Sequence, residues 1–547
     1  MPRPFPSITL QNEVKGDEDF NPAIQLFGRR FFADQTVAEL LIELLLIATS
    51  AKKIGKNDVS ESLPFPELEQ LRNWPDNEPL KYAPKVRLNL KLFAFLGASK
   101  LETRHETHMQ HYQDLVTSLK RPDKLGISTS MDVDEVLKTL ENLFLGLQSV
   151  GGQRTWCAQA FLPISKRLIA AETLWNDTHA KRKNVQTWSE ITEDFMQFFS
   201  FNKHRFLARG GELLYLQLCN ALRQDSQSVR KWLDEAGIGC TAEESDTASL
   251  HRSLQRALVA VFDACPETVG KLATFLDSGI DSETAENTDF TRDGNPRVAY
   301  CGWCPEETWR EGAVFAVELL RICQALIDPI ERIELLEIAC ALQLLRSLCA
   351  QSARYGRNVR VQADIAGPLQ YIWALSDPDG RNTVTKQISR RNLNAIQRMI
   401  YEALRDPAVR RGHSESDYKE ADKRYGHKLF LTVAKRIGLV VPKRGAGARL
   451  VLNDRLLRCM VLGTIRPGAR VTYESFKRLL MAHYGLAVDA GAIARSCIWT
   501  GTAELSTLGG LTDSWLIEML DASGMLIRLS DSFSLVVNPF GVGDIPS

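Results

Sequence analysis

The sequence lacks the features that mark secreted and membrane-spanning proteins. Its eleven cysteines show no regular disulfide spacing, and several, such as Cys219 and Cys340, lie in apolar surroundings. The most apolar segment, residues 37–51, contains Glu39 and Glu43 and is too short to cross a bilayer. We also identify no signal peptide. These absences predict a protein of the reducing cytoplasm that has no membrane partner.

The motifs of the common nucleotide-binding and hydrolytic sites are missing as well. The sequence contains no P-loop, no Rossmann glycine motif, no G-x-S-x-G and no H-E-x-x-H. It also lacks a convincing nuclease cluster of acidic residues and lysine. These absences favour a non-enzymatic role and predict no cofactor.

Helical periodicity dominates the first two thirds of the chain, where strand signals are few. We expect Asp34 to cap a helix that runs to Lys53. Further helices are predicted over residues 86–119, 132–150, 164–174, 188–200, 211–223, 227–235, 248–263, 306–326 and 329–353. The predicted fold class is mainly α, with a multi-domain helical N-terminal part followed by two winged-helix-like units.

Composition shifts divide the chain into six regions. Residues 276–296 carry six acidic side chains against Arg292 and almost no large apolar residues, which is typical of a linker or surface loop. We predict helical regions at 1–125, 126–275 and 301–385, an acidic linker at 276–300, a basic winged helix at 386–454 and a second winged-helix-like domain at 455–547.

The net charge of zero hides a strongly uneven distribution of charge. Residues 381–480 contain 23 Lys and Arg against 8 Asp and Glu, a local net charge of +15. The rest of the chain therefore sums to −15. A concentrated basic region indicates a phosphate-rich partner.

The stretch "GLVVPKRGAGARLVLND", residues 438–454, lies in this basic region and predicts a β-hairpin with a glycine-containing tip. A predicted helix, ending near Ile437, precedes it. The order of helix, helix, basic helix and hairpin is that of a winged helix. We expect the following residues to contact duplex DNA: Lys428, Thr432, Lys435 and Arg436 on the helix, and Lys443, Arg444 and Arg449 on the hairpin. RNA binding, protein docking and a merely solvated basic face are the alternatives.

A second helix and hairpin pattern follows, with the hairpin turning at 530–532. From residue 485 onward the chain has two basic residues, Arg495 and Arg528, against seven acidic ones. Such a surface repels phosphates, so we expect this unit to pack on another protein or on the helical part of its own chain.

The segment "ETRHETHMQHY", residues 102–112, is a weak candidate for a metal site. His105 and His108 are separated by one helical turn, and His111 by another, with Glu106 close by. Their spacing differs from H-E-x-x-H, and the three rings spread around the helix. A polar or pH-sensitive helix face is the favoured interpretation, and we commit to no metal ligand.

Two further segments have both a functional and a structural interpretation. The C-x-x-C formed by Cys301 and Cys304 has no second pair for zinc, which favours a loop pinned by Trp303 and the two cysteines over redox or metal use. "NKHRFLARGGELLYL", residues 202–216, fits an anion pocket, or a turn between helices with one buried Arg–Glu pair. We favour the turn.

Three stretches together suggest a resemblance: "RTWCAQAFLP" (154–163), "FLARGGELLYL" (206–216) and "GLVVPKRGAGARLVLND" (438–454). The chain resembles large uncharacterised bacterial proteins that are encoded in multigene anti-phage defence clusters beside helicases, ATPases or nucleases. The resemblance implies a subunit role in a DNA-directed immune complex, with such a protein as partner. It indicates no single family and carries over no catalytic residues.

The favoured hypothesis is a non-enzymatic DNA-binding scaffold or accessory subunit of such a complex. A stand-alone winged-helix transcription regulator or replication initiator is one alternative, although the acidic second unit argues against it. A metal-dependent nuclease subunit that uses the histidines is the other.

Overall fold

The fold is given by a computed structural model of the full chain. The structure describes residues 2–7, 21–28, 36–54, 57–59, 63–84, 106–120, 134–139, 164–169, 174–175, 177–193, 198–200, 210–275, 298–356, 369, 371–409, 414–494, 513–530 and 533–542. Its architecture is mainly helical, as predicted. None of the helices in these ranges is both long and apolar enough to cross a membrane.

The N-terminal two thirds contain short helices that surround a few long ones. The helices are α1 (Pro22–Phe27), α2 (Val37–Thr49), α3 (Leu68–Arg72), α4 (Glu106–Leu119), α5 (Asp177–Lys183), α6 (Trp188–Glu193), α7 (Gly210–Leu222), α8 (Ser226–Glu235), α9 (Ala242–Ser245), α10 (Thr247–Asp263), α11 (Glu267–Phe275), α12 (Trp309–Gln324) and α13 (Pro329–Tyr355). Single 3₁₀ turns lie at Lys166–Leu168 and Glu306–Thr308.

The core is built around α7, α12 and α13, and α2 packs against α7. Every residue of α7 is buried, because helices cover it on all sides. Two glycines permit the closest approaches. A Cβ at Gly211 would lie 2.3 Å from the Leu40 carbonyl oxygen, and one at Gly312 would lie 2.3 Å from that of Gln217. Side chains at either position would therefore separate the helices.

The prediction of an all-helical N-terminal part is wrong in one respect, because short strands are interleaved with the helices. A four-stranded antiparallel sheet joins β2 (Ala51–Ile54), β3 (Asn57–Val59), β4 (Leu80–Ala83) and β7 (Ala299–Tyr300) in the order β3-β2-β4-β7. Smaller pairs join β1 (Pro4–Phe5) to β8 (Cys304–Pro305), and β5 (Leu174–Trp175) to β6 (Phe199–Ser200).

Three predicted helices differ from the expectation. The one predicted at 188–200 is helical over Trp188–Glu193, whereas Phe199–Ser200 form β6, and 194–197 lie outside the described residues. The helix after Asp34 begins at Val37, and Thr36 is its N-cap, whose side chain forms a capping box with Glu39. The helix ends at Thr49 because β2 begins at residue 51. Residues 164–174 form only a 3₁₀ turn and the start of β5, with 170–173 outside the described residues. The predicted helices at 211–223, 227–235, 248–263, 306–326 and 329–353 are confirmed to within a few residues.

The C-terminal third begins with β9 (Trp373–Ala374) and the long helix α14 (Thr383–Leu404). There follow α15 (Glu415–Glu420), a π-helical turn (Ala421–Tyr425), α16 (His427–Arg436), β10 (Val440–Val441) and β11 (Arg449–Leu450). Gly426 separates the π-helical turn from α16, and the predicted hairpin is present.

The remaining elements are α17 (Asp454–Thr464), β12 (Arg470–Thr472), α18 (Tyr473–Tyr484), β13 (Leu486–Ala487), α19 (Ser514–Ala522), β14 (Leu526–Ser530) and β15 (Phe533–Val537). Strands β12, β15 and β14 form an antiparallel sheet in that order, and β13 pairs with β9 in parallel. The predicted second hairpin is thus present between β14 and β15.

Buried charges attach this last unit to the helical part of the chain. On α12, Glu318 binds Arg346 of α13 at 2.6 Å, and it lies 2.8 Å from Nδ1 of His483 on α18. Arg321 donates to the Thr464 carbonyl oxygen at 2.6 Å. All four side chains are fully buried, so the unit packs on the chain's own helical part.

Candidate nucleic-acid interface

The hairpin predicted from residues 438–454 has a buried base and an exposed tip. Val440 pairs with Leu450, and both side chains are buried. The loop bends through Gly445 and Gly447, whose φ angles of +94° and +83° favour glycine. Residues 442–446 are exposed, so Lys443 and Arg444 lie on an exposed turn.

Lys443 and Arg444 occupy this exposed tip. Neither side chain forms an ion pair or hydrogen bond with any residue that the structure describes. Two cations close together without an acidic neighbour repel each other. The binding of an anion such as phosphate removes that repulsion.

Arg449 has a different environment from the two tip residues. Its Nη1 donates to Ser376 Oγ at 2.9 Å and to the Asp377 carbonyl oxygen at 3.2 Å, and its Nη2 donates to the Pro378 carbonyl oxygen at 2.9 Å. Burial lowers the pKa of this half-buried guanidinium, and the positive charge of Arg390 lowers it further. In this structure Arg449 therefore holds the hairpin base against the 376–378 loop.

Helix α16 precedes the hairpin and is amphipathic, as predicted. Its inner face buries Leu429, Phe430, Val433 and Ala434. Lys428 and Arg436 are exposed, whereas Thr432 and Lys435 are half-buried. The Thr432 hydroxyl donates to the Lys428 carbonyl oxygen at 2.8 Å. The helix therefore presents its cations on the side away from the core.

Helix α14 contributes a cation that the sequence analysis did not assign to this site. Arg390 is exposed, and its Nε donates to the Gly447 carbonyl oxygen at 3.3 Å. The contact brings a basic helix face beside the hairpin tip. Because it joins residues 57 positions apart, no local sequence pattern predicts it.

Several other cations of the basic region are paired with carboxylates elsewhere. The pairs are Arg381–Asp379, Arg405–Asp422, Arg424–Glu420, Arg455–Glu334, Arg458–Glu331 and Lys477 with Glu474, Asp489 and Asp513. The local charge excess is therefore not spread evenly. Lys428, Lys443 and Arg444 are exposed cations that have no such partner among the described residues.

The proposed metal ligands lie largely outside the described structure. His105 precedes α4, and the side chain of His108 on that helix is outside the description, whereas His111 is half-buried. Within the described ranges, no three His, Cys, Asp or Glu side chains are grouped so that they could hold a metal ion.

The C-x-x-C cysteines are both buried, and neither forms a disulfide with a described residue. Burial raises the pKa of the Cys304 thiol to about 12, so it is protonated at neutral pH. Trp303 is also buried, beside Gly28. These contacts agree with the structural interpretation of the motif.

Residues 201–209, which carry the cations of the candidate anion pocket, lie outside the described residues, as does "RTWCAQAFLP". Of the acidic linker predicted at 276–300, residues 276–297 are likewise outside the description, and its end is corrected because Ala299–Tyr300 form β7. Glu212 on α7 is described and buried, and its Oε1 accepts a hydrogen bond from Tyr82 Oη at 2.7 Å.

No protein-family model, curated protein or solved structure matches this chain.

Proposed function

We propose that residues 383–450 form a winged helix that binds duplex DNA. The observation that carries the proposal is the exposed pair Lys443 and Arg444, unpaired among the described residues, on a hairpin beside the basic face of α16. Helix α16 enters the major groove, and the hairpin tip follows the neighbouring phosphate backbone. Arg390 extends the positive surface from α14 to the tip.

Within this arrangement the predicted contact residues have separate roles. Lys428, Lys435 and Arg436 face the duplex from α16, while Lys443 and Arg444 bind phosphates. Arg449 keeps the hairpin in position through its bonds to the 376–378 loop.

We further propose that the protein is a non-enzymatic scaffold or accessory subunit of a bacterial anti-phage defence complex, whose partner is a helicase, ATPase or nuclease. The resemblance noted above motivates this role. The acidic unit from residue 485 onward supports it, since its charge disfavours a second DNA contact. Co-purification with the products of neighbouring genes tests this part of the proposal, and a protein that purifies alone contradicts it.

The DNA-binding part is tested by charge reversal. A gel shift with a duplex compares the wild type with K443E/R444E and with R252E/R256E, which changes the net charge equally at exposed positions of α10. We expect binding to be lost only in the hairpin variant. Equal binding by all three proteins excludes the hairpin as the contact.

A further inference from the structure

A cleft in the helical N-terminal part of the chain carries aromatic rings and arginines together. Its volume is about 450 Å³, and helices α8, α12 and α13 form its walls. Its lining includes Lys231, Trp232, Trp309, Arg310 and Arg354. A second cleft of about 380 Å³ adjoins it and shares Trp309 and Arg310.

The guanidinium of Arg310 lies close to both indole rings. Its guanidinium carbon is 5.3 Å from the ring centre of Trp309 and 5.9 Å from that of Trp232. The two rings meet edge to face, and Trp232 Nε1 donates to the Arg310 carbonyl oxygen at 3.3 Å. The rings therefore hold the guanidinium in place by cation–π contact.

The charge of Arg310 is not neutralised within the described lining of the cleft. Its side chain has no ion pair or hydrogen bond with a described residue, whereas Arg354 binds Glu311 and Gln351, and Lys231 lies 3.9 Å from Glu235. Burial, followed by the charge of Arg354, lowers the pKa of Arg310. The negative charges of Glu311 and Glu307 raise this pKa, but they offset the lowering only in part.

One carboxylate oxygen of each acidic residue in the adjoining cleft binds a group other than Arg310. Glu306 binds Arg223 at 2.8 Å, and Glu307 accepts a hydrogen bond from Tyr355 Oη at 2.9 Å. The guanidinium of Arg310 is thus a fork of N–H donors without an acceptor in the described residues, next to two half-exposed aromatic rings.

We propose that this cleft binds a nucleotide, with the phosphate on Arg310 and Lys231 and the base against the Trp309 and Trp232 rings. Arginine pairs with phosphate through two parallel hydrogen bonds, and indole faces stack with any base. The cleft also has the size of a small-ligand site. The nucleotide is either a free mononucleotide or the phosphorylated end of a single strand.

Tryptophan fluorescence and calorimetry with the full-length protein test the assignment. The probes are AMP, adenosine, inorganic phosphate and a short 5′-phosphorylated DNA strand. We expect AMP to bind at least about tenfold more tightly than adenosine or phosphate alone, because only AMP makes both contacts. Tighter binding of the strand than of AMP assigns the site to strand ends, and the reverse order assigns it to free nucleotide.

Variants decide whether this cleft is responsible. R310Q is expected to weaken AMP binding at least about tenfold. R230Q, at an exposed position of α8 outside the cleft, leaves binding unchanged. K231Q, which alters an exposed residue and spares the fold, weakens binding by a smaller factor. Melting curves establish that each variant is folded.

The proposal is overturned if neither AMP nor the strand binds at millimolar concentration, or if R310Q and K231Q both bind AMP as the wild type does. The hairpin variant K443E/R444E is expected to bind AMP normally. Failure of duplex binding and failure of the nucleotide site are therefore distinguished.

Discussion

Arg390 Nε donates to the Gly447 carbonyl oxygen at 3.3 Å, which links helix α14 to the tip of the basic hairpin. The hairpin base is fixed separately, because Arg449 binds the 376–378 loop and the Leu450 N–H donates to Ser389 Oγ at 2.8 Å. A loop held at two points loses less freedom on binding than an unsupported one. The proposed DNA binding therefore depends on contacts within the protein as well as on its surface charge.

Replacement of Gly447 by alanine tests the contact at the tip. The residue has a φ of +83°, and a Cβ there would lie 2.8 Å from Arg390 Nη2, so the guanidinium must move. Gly445 is the matched control, because its φ is +94° but no atom lies within 4 Å of a Cβ. We expect both variants to cost about 1–2 kcal/mol of backbone strain, and only G447A to release Arg390.

Hydrogen exchange of the loop and duplex affinity measure the difference between these two variants. G447A should exchange faster and bind duplex DNA more weakly than G445A. Indistinguishable behaviour of the two proteins would show that the Arg390 contact does not support the hairpin.

Substitution of Arg449 by methionine tests the anchor at the hairpin base. The change removes three hydrogen bonds and leaves the Pro378 carbonyl oxygen without a donor among the described residues, whereas the Asp377 carbonyl keeps the Gly380 N–H. We expect a local loss of about 1–3 kcal/mol, seen as faster amide exchange over residues 440–450. Unchanged amide exchange would contradict the anchoring role. It would favour the sequence-based prediction that Arg449 contacts a phosphate.

His427 at the start of α16 predicts a pH dependence of stability. Burial lowers its pKa from 6.5 to about 4, and its ring stacks on Phe430 at 6.1 Å. Between these two pH values the unfolded chain binds the proton more strongly, so stability should fall as the pH decreases from 6.5 to about 4. Melting temperatures across this range should fall less steeply for H427F than for the wild type; identical slopes refute the prediction.

The buried pair of Glu318 and Arg346 predicts a large cost for the loss of one partner. E318L leaves the fully buried Arg346 without its carboxylate and removes the contact with His483. We expect a destabilisation of about 3–5 kcal/mol. E267L, which removes an exposed ion pair with Lys271, is the control and should cost less than about 1 kcal/mol. Thermal unfolding compares the two, and equal effects contradict the buried pairing.

The sequence predicts those parts of the fold that are determined locally. Helices α7, α12 and α13 are rich in apolar residues, and Thr472 caps α18, as expected for a threonine directly before the helix. The four-stranded sheet is different, because its strands have two to four residues each and β4 pairs with β7 more than 200 positions away. Such short strands lack a periodic signal, and their pairing depends on the packed helices.

In the candidate interface, too, local features can be predicted from the sequence and long-range contacts cannot. The charge excess, the hairpin and the buried face of α16 are all readable from the sequence. The difference in environment between the exposed Lys443 and Arg444 and the hydrogen-bonded Arg449 is not readable from the sequence. It arises from contacts between residues more than 70 positions apart. The same holds for Arg310, because its contact with Trp232 joins residues 78 positions apart on two different helices.

The salt dependence of duplex binding tests the central claim most directly. A plot of log affinity against log salt concentration has a negative slope. If Lys443 and Arg444 each neutralise a phosphate, the variant K443Q/R444Q should make this slope shallower by about two units relative to the wild type. The control R252Q/R256Q should keep the wild-type slope. A hairpin variant whose slope equals that of the wild type would show that these two cations do not contact the DNA backbone.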